Sequence, residues 1–211
     1  MNAALADLSR VIDLTGVIAN AVLGGVVARE YDMDPVGFVA LAMVSGLGGG
    51  VIRDTLLQHG PPVALTNSLY VVAAVAGAAA AFAVPVGHRV WRSAYPVVDA
   101  LALGTWAAAG SQKTLEIGLG WLPAILLGTV SAVGGGALRD VAVNRIPQVF
   151  GGNTLYATCA AAASALVVIF TDCGFASAGA ITGAIVGSAF CLLARWRGWQ
   201  LSHGPDWGHG N

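Results

Sequence analysis

Two glycine-rich motifs hold the residue types that could do chemistry inside an apolar chain. They read GLGGGVIRD at 46–54 and AVGGGALRD at 132–140, and each ends in an arginine followed by an aspartate. Three consecutive glycines cost a helix about 1 kcal/mol each relative to alanine. We expect these glycines to bend the two helices that contain them near mid-depth, or to let the helices pack closely. They are Gly48, Gly49, Gly50, Gly134, Gly135 and Gly136.

A serine, a glycine and the arginine of each motif are spaced by four residues, so they share one helix face. The two sets are Ser45, Gly49 and Arg53, and Ser131, Gly135 and Arg139. Asp54 and Asp140 are the nearest counter-ions, but adjacent residues point about 100° apart on a helix, so we expect the main partner on another helix. One interpretation is a polar conduction path whose charges tune ion occupancy. The other is a buried, neutral arginine–aspartate pair that fixes helix positions.

Composition identifies the surroundings of these motifs as a membrane. The 211 residues are 56% hydrophobic and only 10% charged, with a net charge of −1, whereas soluble proteins carry roughly 25% charged residues. A chain without a basic stripe lacks the attraction that nucleic acid requires, so we expect no nucleic-acid partner. We find no nucleophile with its base, phosphate loop or metal-ligand spacing, so we expect no enzyme, cofactor or metal site.

Seven apolar segments approach the roughly 20 residues that a helix needs to cross a bilayer. The connections between them are short, which predicts one membrane domain made only of helices. The seven segments are Val11–Ala28, Val36–Leu57, Ser68–Val86, Tyr95–Ser111, Leu119–Val143, Leu155–Thr171 and Phe175–Ala194.

The chain repeats itself at a constant offset of 86 residues. Repeat 1 covers about residues 10–86 and repeat 2 about 96–172; a seventh helix at about 175–195 and a polar tail at 198–211 follow. Because each repeat has three spans, the second copy enters the membrane from the opposite side, as in many transport proteins. Outside the motifs the recurring residues include Asp13 and Asp99, Asn67 and Asn153, and Tyr70 and Tyr156.

Arginine and lysine in the connections predict the orientation. If the N-terminus is outside and the C-terminus inside, the cytoplasmic connections and tail contain six arginines, whereas the outer side contains only Arg10 and Lys113. This excess of cytoplasmic bases favours that orientation. The six are Arg29, Arg89, Arg92, Arg145, Arg195 and Arg197.

The remaining polar residues have conservative interpretations. Asp13, Asp99 and Pro96 suit helix starts, Asn67 suits a helix cap, and Tyr70 and Tyr156 suit the membrane interface. Lys113 either extends to the interface or swings toward a pore mouth. On the seventh segment Gly179, Gly183 and Gly187 form a smooth face for close helix contact, within a protomer or between protomers.

The paired GGG motifs in inverted three-helix repeats, followed by a seventh helix, resemble the prokaryotic branch of the trimeric intracellular cation (TRIC) channel family. The resemblance covers residues 10–195 and implies a homotrimer in a prokaryotic plasma membrane. It also implies one pore per protomer, between the bent second and fifth spans, for monovalent cations, chiefly potassium but also sodium. Lys113 lies near the position on the fourth helix where animal members of the family carry a basic residue linked to gating. Related bacterial sequences are also described as glycine transporters, so a secondary transporter of a small solute such as glycine is the alternative. A membrane scaffold without transport is a third interpretation.

Overall fold

The structure is a computed structural model and describes residues 3–84, 88–150 and 155–200. Within these ranges the chain forms eight helices and no strand, which confirms the all-α fold class. Asn153 and tail residues 201–211 lie outside the described residues. The helices are α1 (Ala3–Glu30), α2 (Pro35–Leu57), α3 (Val63–Thr66), α4 (Ser68–Ala83), α5 (His88–Glu116), α6 (Trp121–Ala142), α7 (Tyr156–Asp172) and α8 (Ala176–Arg197).

Local capping chemistry explains where α2 and α4 begin. Asp34 accepts a 2.7 Å hydrogen bond from the backbone N–H of Gly37, and a proline opens α2, where its missing N–H has no cost. Asn67 caps α4 by accepting from the N–H of Leu69 at 3.1 Å. The prediction that Asn67 starts a helix is therefore confirmed.

Two helices begin earlier than the sequence predicts. α1 starts at Ala3 and α5 at His88, so Asp13 and Asp99 lie well inside helices and Pro96 lies within α5. The interpretation of these three residues as helix starts is wrong. Charged residues near these starts, Asp7 and Arg10 in α1 and Arg89 and Arg92 in α5, lower the hydropathy of both segments, although the helical backbone continues through them.

The long helix α5 is the centre of the packing. It packs against α1, α2, α6, α7 and α8, and its Trp106 is only 1% exposed. Helices α1, α2, α6 and α8 are long and apolar enough to cross a membrane, while α4 and α7 are shorter apolar helices. The count of seven membrane-crossing helices, with α3 as an extra single turn, stays a prediction.

The glycine face of α8 packs within the protomer. A Cβ atom added at Gly183 would lie 2.6 Å from Cγ2 of Val167 on α7, and one at Gly179 would lie 2.7 Å from Cβ of Phe170. Gly187 faces Ala163 on α7 and approaches Gly104 on α5. These glycines let the α8 backbone lie directly against α7 and α5.

We predict that Gly183→Leu destabilises the α7–α8 contact by about 1–3 kcal/mol, because the added side chain overfills a packed interface. The melting temperature of the purified protein in detergent measures this. Ala178→Leu is the matched control, since Ala178 is exposed on the same helix. Equal melting temperatures for the two variants would contradict the packing.

Candidate functional site

Helices α2 and α6 cross in direct backbone contact at their glycine motifs. A Cβ atom at Gly49 would collide with the carbonyl oxygen of Ser131, and one at Gly135 would collide with the carbonyl oxygen of Ser45. The helical backbone of α2 and of α6 is unbroken through the glycines. Close packing is therefore one function of the glycines, and a bend within either helix stays a prediction.

Two buried hydroxyl groups lie at this crossing. Ser45 and Ser131 are fully buried, and within the described part of the chain neither hydroxyl has a hydrogen-bond partner. Ser45 contacts the position of Gly24 on α1, and Ser131 that of Gly110 on α5. The crossing thus offers polar oxygen atoms in a region otherwise made of small apolar residues.

On one side of the crossing, five side chains from four helices form the first charge cluster: Asp13, Arg53, Asp54, Tyr70 and Lys113. Arg53 donates from Nε to Oδ1 of Asp54 at 2.8 Å and from Nη1 to Oδ1 of Asp13 at 3.2 Å. Tyr70 donates to Asp13 at 2.8 Å, and Nζ of Lys113 to Asp54 at 2.7 Å. Arg53 therefore bridges both acids, one of them on another helix as the spacing predicts.

On the other side lies the second charge cluster: Asp99, Arg139, Asp140, Tyr156 and Arg195. Arg139 donates from Nε to Oδ1 of Asp140 at 3.0 Å. Tyr156 donates to Asp99 at 3.1 Å, and Arg195 on α8 also pairs with Asp99. Arg139 and Asp99 are each 1% exposed, so this cluster also lies in the protein interior.

The two clusters are equivalent residue by residue except for one base. Asp13, Arg53, Asp54 and Tyr70 recur at the offset of 86 residues, whereas Lys113 and Arg195 do not. Each cluster has a cavity of about 10 Å³ beside its arginine. With two acids and two bases in each, both clusters are electrically neutral, which lowers the cost of burying their charges.

The clusters lie at different depths. Asp99 and Lys113 are on the same helix, α5, and their separation corresponds to about 21 Å at 1.5 Å rise per residue. Trp106 lies midway between them, and the guanidinium of Arg53 lies 5.6 Å from its ring centre. The α2–α6 crossing thus has a neutral group of four charges toward each end of the molecule.

A larger cavity of about 420 Å³ lies next to the second cluster. It contains an ion pair of 2.9 Å between Arg145 and Glu30. Tyr95, which lines this cavity, lies 6.0 Å from the guanidinium of Arg139. Gln148 lines both this cavity and the small cavity of the second cluster, so the two spaces share a wall.

The sequence assigned other roles to several members of the two clusters. Tyr70 and Tyr156 are 6% and 8% exposed and bind buried carboxylates, so their interpretation as interface residues is wrong. Their recurrence together with Asp13 and Asp99 was the signal that could have found them. Arg195 carried no such signal, since it counted only as a cytoplasmic charge.

The family model described as glycine transporter matches residues 10–85 and 96–172. The UPF0126 membrane protein of Deinococcus radiodurans is 37% identical over 159 residues, covering 74% of this chain and 73% of that protein. The UPF0126 inner membrane protein YadS of Escherichia coli K12 is 34% identical over 148 residues, covering 70% and 71%. The TRIC trimeric intracellular cation channel orthologue from Rhodobacter sphaeroides is 30% identical with a TM-score of 0.78, covering 88% and 97%.

The chain belongs to the bacterial TRIC family. This TRIC protein is a membrane protein with the fold of the solved TRIC channel, which confirms the resemblance inferred from the GGG motifs.

For this TRIC protein we predict that Arg53→Leu lowers the free energy of unfolding by about 3–5 kcal/mol, because it leaves buried carboxylates without their main partner. Thermal unfolding of the assembled protein in detergent measures the loss. Arg10→Leu is the matched control, since the Arg10 side chain is 51% exposed and its ion pair with Asp7 is long, at 3.9 Å. A loss no larger than that of Arg10→Leu would contradict a stabilising role for the cluster.

Proposed function

We propose that this TRIC protein is a potassium-permeable channel for monovalent cations in a prokaryotic plasma membrane. It assembles as a homotrimer with one pore in each protomer, between α2 and α6. Its N-terminus is outside and its C-terminus is cytoplasmic. The likeness to the Rhodobacter sphaeroides cation channel over nearly the whole of both chains supports the activity and the trimer.

The arrangement of buried charges supports a conduction path beside the α2–α6 crossing. Ionisable groups inside a membrane protein either pair with one another or line an aqueous path. Carboxylates of Asp54 and Asp140 attract cations, while the neighbouring arginines limit how tightly a cation is held. Conduction needs binding sites that are weak enough to release the ion, and acids already paired with bases meet this requirement.

Closure of the path takes place at the glycine crossing and at the two clusters. Gly49 and Gly135 bring the backbones of α2 and α6 together, so separation of these helices opens the middle of the path. Lys113 is the gating residue of the first cluster. Its side chain is 28% exposed and flexible, so its ammonium group can leave Asp54 and return.

A channel and a glycine transporter give different electrical behaviour. We predict unitary potassium currents from the protein reconstituted in planar bilayers, and no saturable glycine counterflow in liposomes of the same preparation. Vesicles without protein are the control in both measurements. Electrically silent glycine exchange would contradict the channel and support the transporter.

We predict that Gly49→Leu and Gly135→Leu each reduce potassium flux per assembled trimer, because each places a bulky apolar side chain in the crossing. Flux into liposomes is measured after the trimer fraction has been isolated. Gly120→Leu is the matched control, since a Cβ atom there meets no neighbour within 4 Å. Undiminished flux in trimers of both crossing variants would place the pore elsewhere.

A further inference from the structure

The second charge cluster contains a base that the repeat does not explain. Arg195, in the last turn of α8, pairs with Asp99 and donates to Oε1 of Gln148 at 3.4 Å. Its guanidinium also lies 5.5 Å from the ring centre of Tyr156. The equivalent position in repeat 1 is Ala109. α8 therefore adds its own base to a cluster that otherwise copies the first.

Equivalent acids in the two clusters have different partners. In the first cluster Nη1 of Arg53 donates to Asp13. In the second, Asp99 is held by Arg195 instead, and Nη1 of Arg139 is buried without a hydrogen-bond partner in the described part of the chain. An unsatisfied buried donor of this kind is costly. The guanidinium of Arg139 thus has a free donor that could bind Asp99.

Arg139 lies near the face of α5 that carries Asp99. Its guanidinium is 6.0 Å from the ring centre of Tyr95, and Tyr95 precedes Asp99 by one helical turn on the same face of α5. The first cluster shows that an arginine in this position can bridge both acids. The second cluster accordingly has two possible pairings, of which the structure shows one.

We propose that Arg195 and Arg139 exchange as the partner of Asp99, and that the Arg195 pairing closes the end of the path where α6 and α8 end. This inference rests on the proposed function, because it assigns the two pairings to the closed and open states of the same path. The Arg195 pairing ties α8 to α5. The Arg139 pairing reproduces the bridge of the first cluster and releases α8.

Gln148 is the link between this exchange and access to the path. It lines the cavity of about 420 Å³ and the small cavity beside Arg139, and in the closed pairing it accepts a hydrogen bond from Arg195. Departure of Arg195 removes that bond from the wall between the two spaces. The second cluster then becomes accessible from the larger cavity.

A double-mutant cycle tests the exchange without any transport assay. Arg195→Gln and Arg139→Gln each leave Asp99 one guanidinium, whereas the double variant leaves it none. The loss of melting temperature in the double variant therefore exceeds the sum of the two single losses. Arg195→Gln combined with Arg53→Gln is the matched control and is additive, since the arginines belong to different clusters. Additive losses for Arg195 and Arg139 would overturn the exchange.

Thiol accessibility tests the closing role. Val133→Cys reports on the small cavity of the second cluster, and Leu47→Cys on the equivalent cavity of the first. Both are made in a chain whose three cysteines are replaced by alanine, and reacted in vesicles with a cationic, membrane-impermeant methanethiosulfonate. Because Arg195 contributes charge-assisted hydrogen bonds, Arg195→Gln raises the reaction rate of Val133→Cys by about tenfold. The reagent acts from the side where α8 ends, and Arg195→Lys restores the slow rate.

The result with Leu47→Cys distinguishes a gate from general loosening. Its rate is unchanged by Arg195→Gln if the exchange acts on one end only, and an equal rise at both cysteines would overturn the proposal. If Arg195→Gln does not assemble, the same measurement is made with Arg195→Gln and Asp99→Asn together, which removes both charges. Potassium flux through the same vesicles tests the channel separately: absent flux in the parent protein contradicts the channel, whereas a one-sided rise in labelling still supports the exchange.

Discussion

An ionised side chain held away from water is stable only when opposite charges and hydrogen-bond donors surround it, and this requirement organises the TRIC protein. Arg53 and Arg139 lie in helices that otherwise bury small apolar residues. Each needs acids from a neighbouring helix or from its own, and those acids need further donors. The result is two neutral clusters, each of two acids and two bases. The first connects α1, α2, α4 and α5, and the second connects α5, α6, α7 and α8, so that together they link seven helices. Apolar packing alone would leave such small-residue helices free to slide.

The glycine motifs determine where the clusters lie. Because Gly49 and Gly135 have no side chains, the backbones of α2 and α6 meet directly, and the arginines one turn further along each helix are carried to opposite sides of the contact. The same glycines leave no interlocking side chains at the closest point of this contact. The two charge clusters therefore lie on either side of a contact made by backbone alone.

The repeat explains which parts of the structure could be predicted from the sequence. The helical class and the approximate bounds of α2, α6, α7 and α8 follow from hydropathy. The correspondence between the two GGG motifs follows from the offset of 86 residues. The earlier starts of α1 and α5 do not, because charged residues near those starts look like parts of loops in a hydropathy profile. The other members of the two clusters come from α1, α4, α5, α7 and α8, and contacts between distant helices depend on tertiary packing that one sequence does not display. The position of Lys113 at the end of the fourth span suggested either the interface or a pore mouth, and only the structure shows its contact with Asp54.

Inverted repeats alone would build two ends with the same properties. The bases that complete the clusters break this equivalence. A lysine ammonium is a flexible point charge, whereas an arginine guanidinium is planar and can serve two acceptors while stacking on a ring. Lys113 holds the acid next to Arg53 and leaves Arg53 free to bridge, but Arg195 holds the acid that Arg139 would otherwise bridge. The seventh long helix, α8, has no counterpart in repeat 1, yet it supplies the residue that makes the two ends of the protomer chemically different.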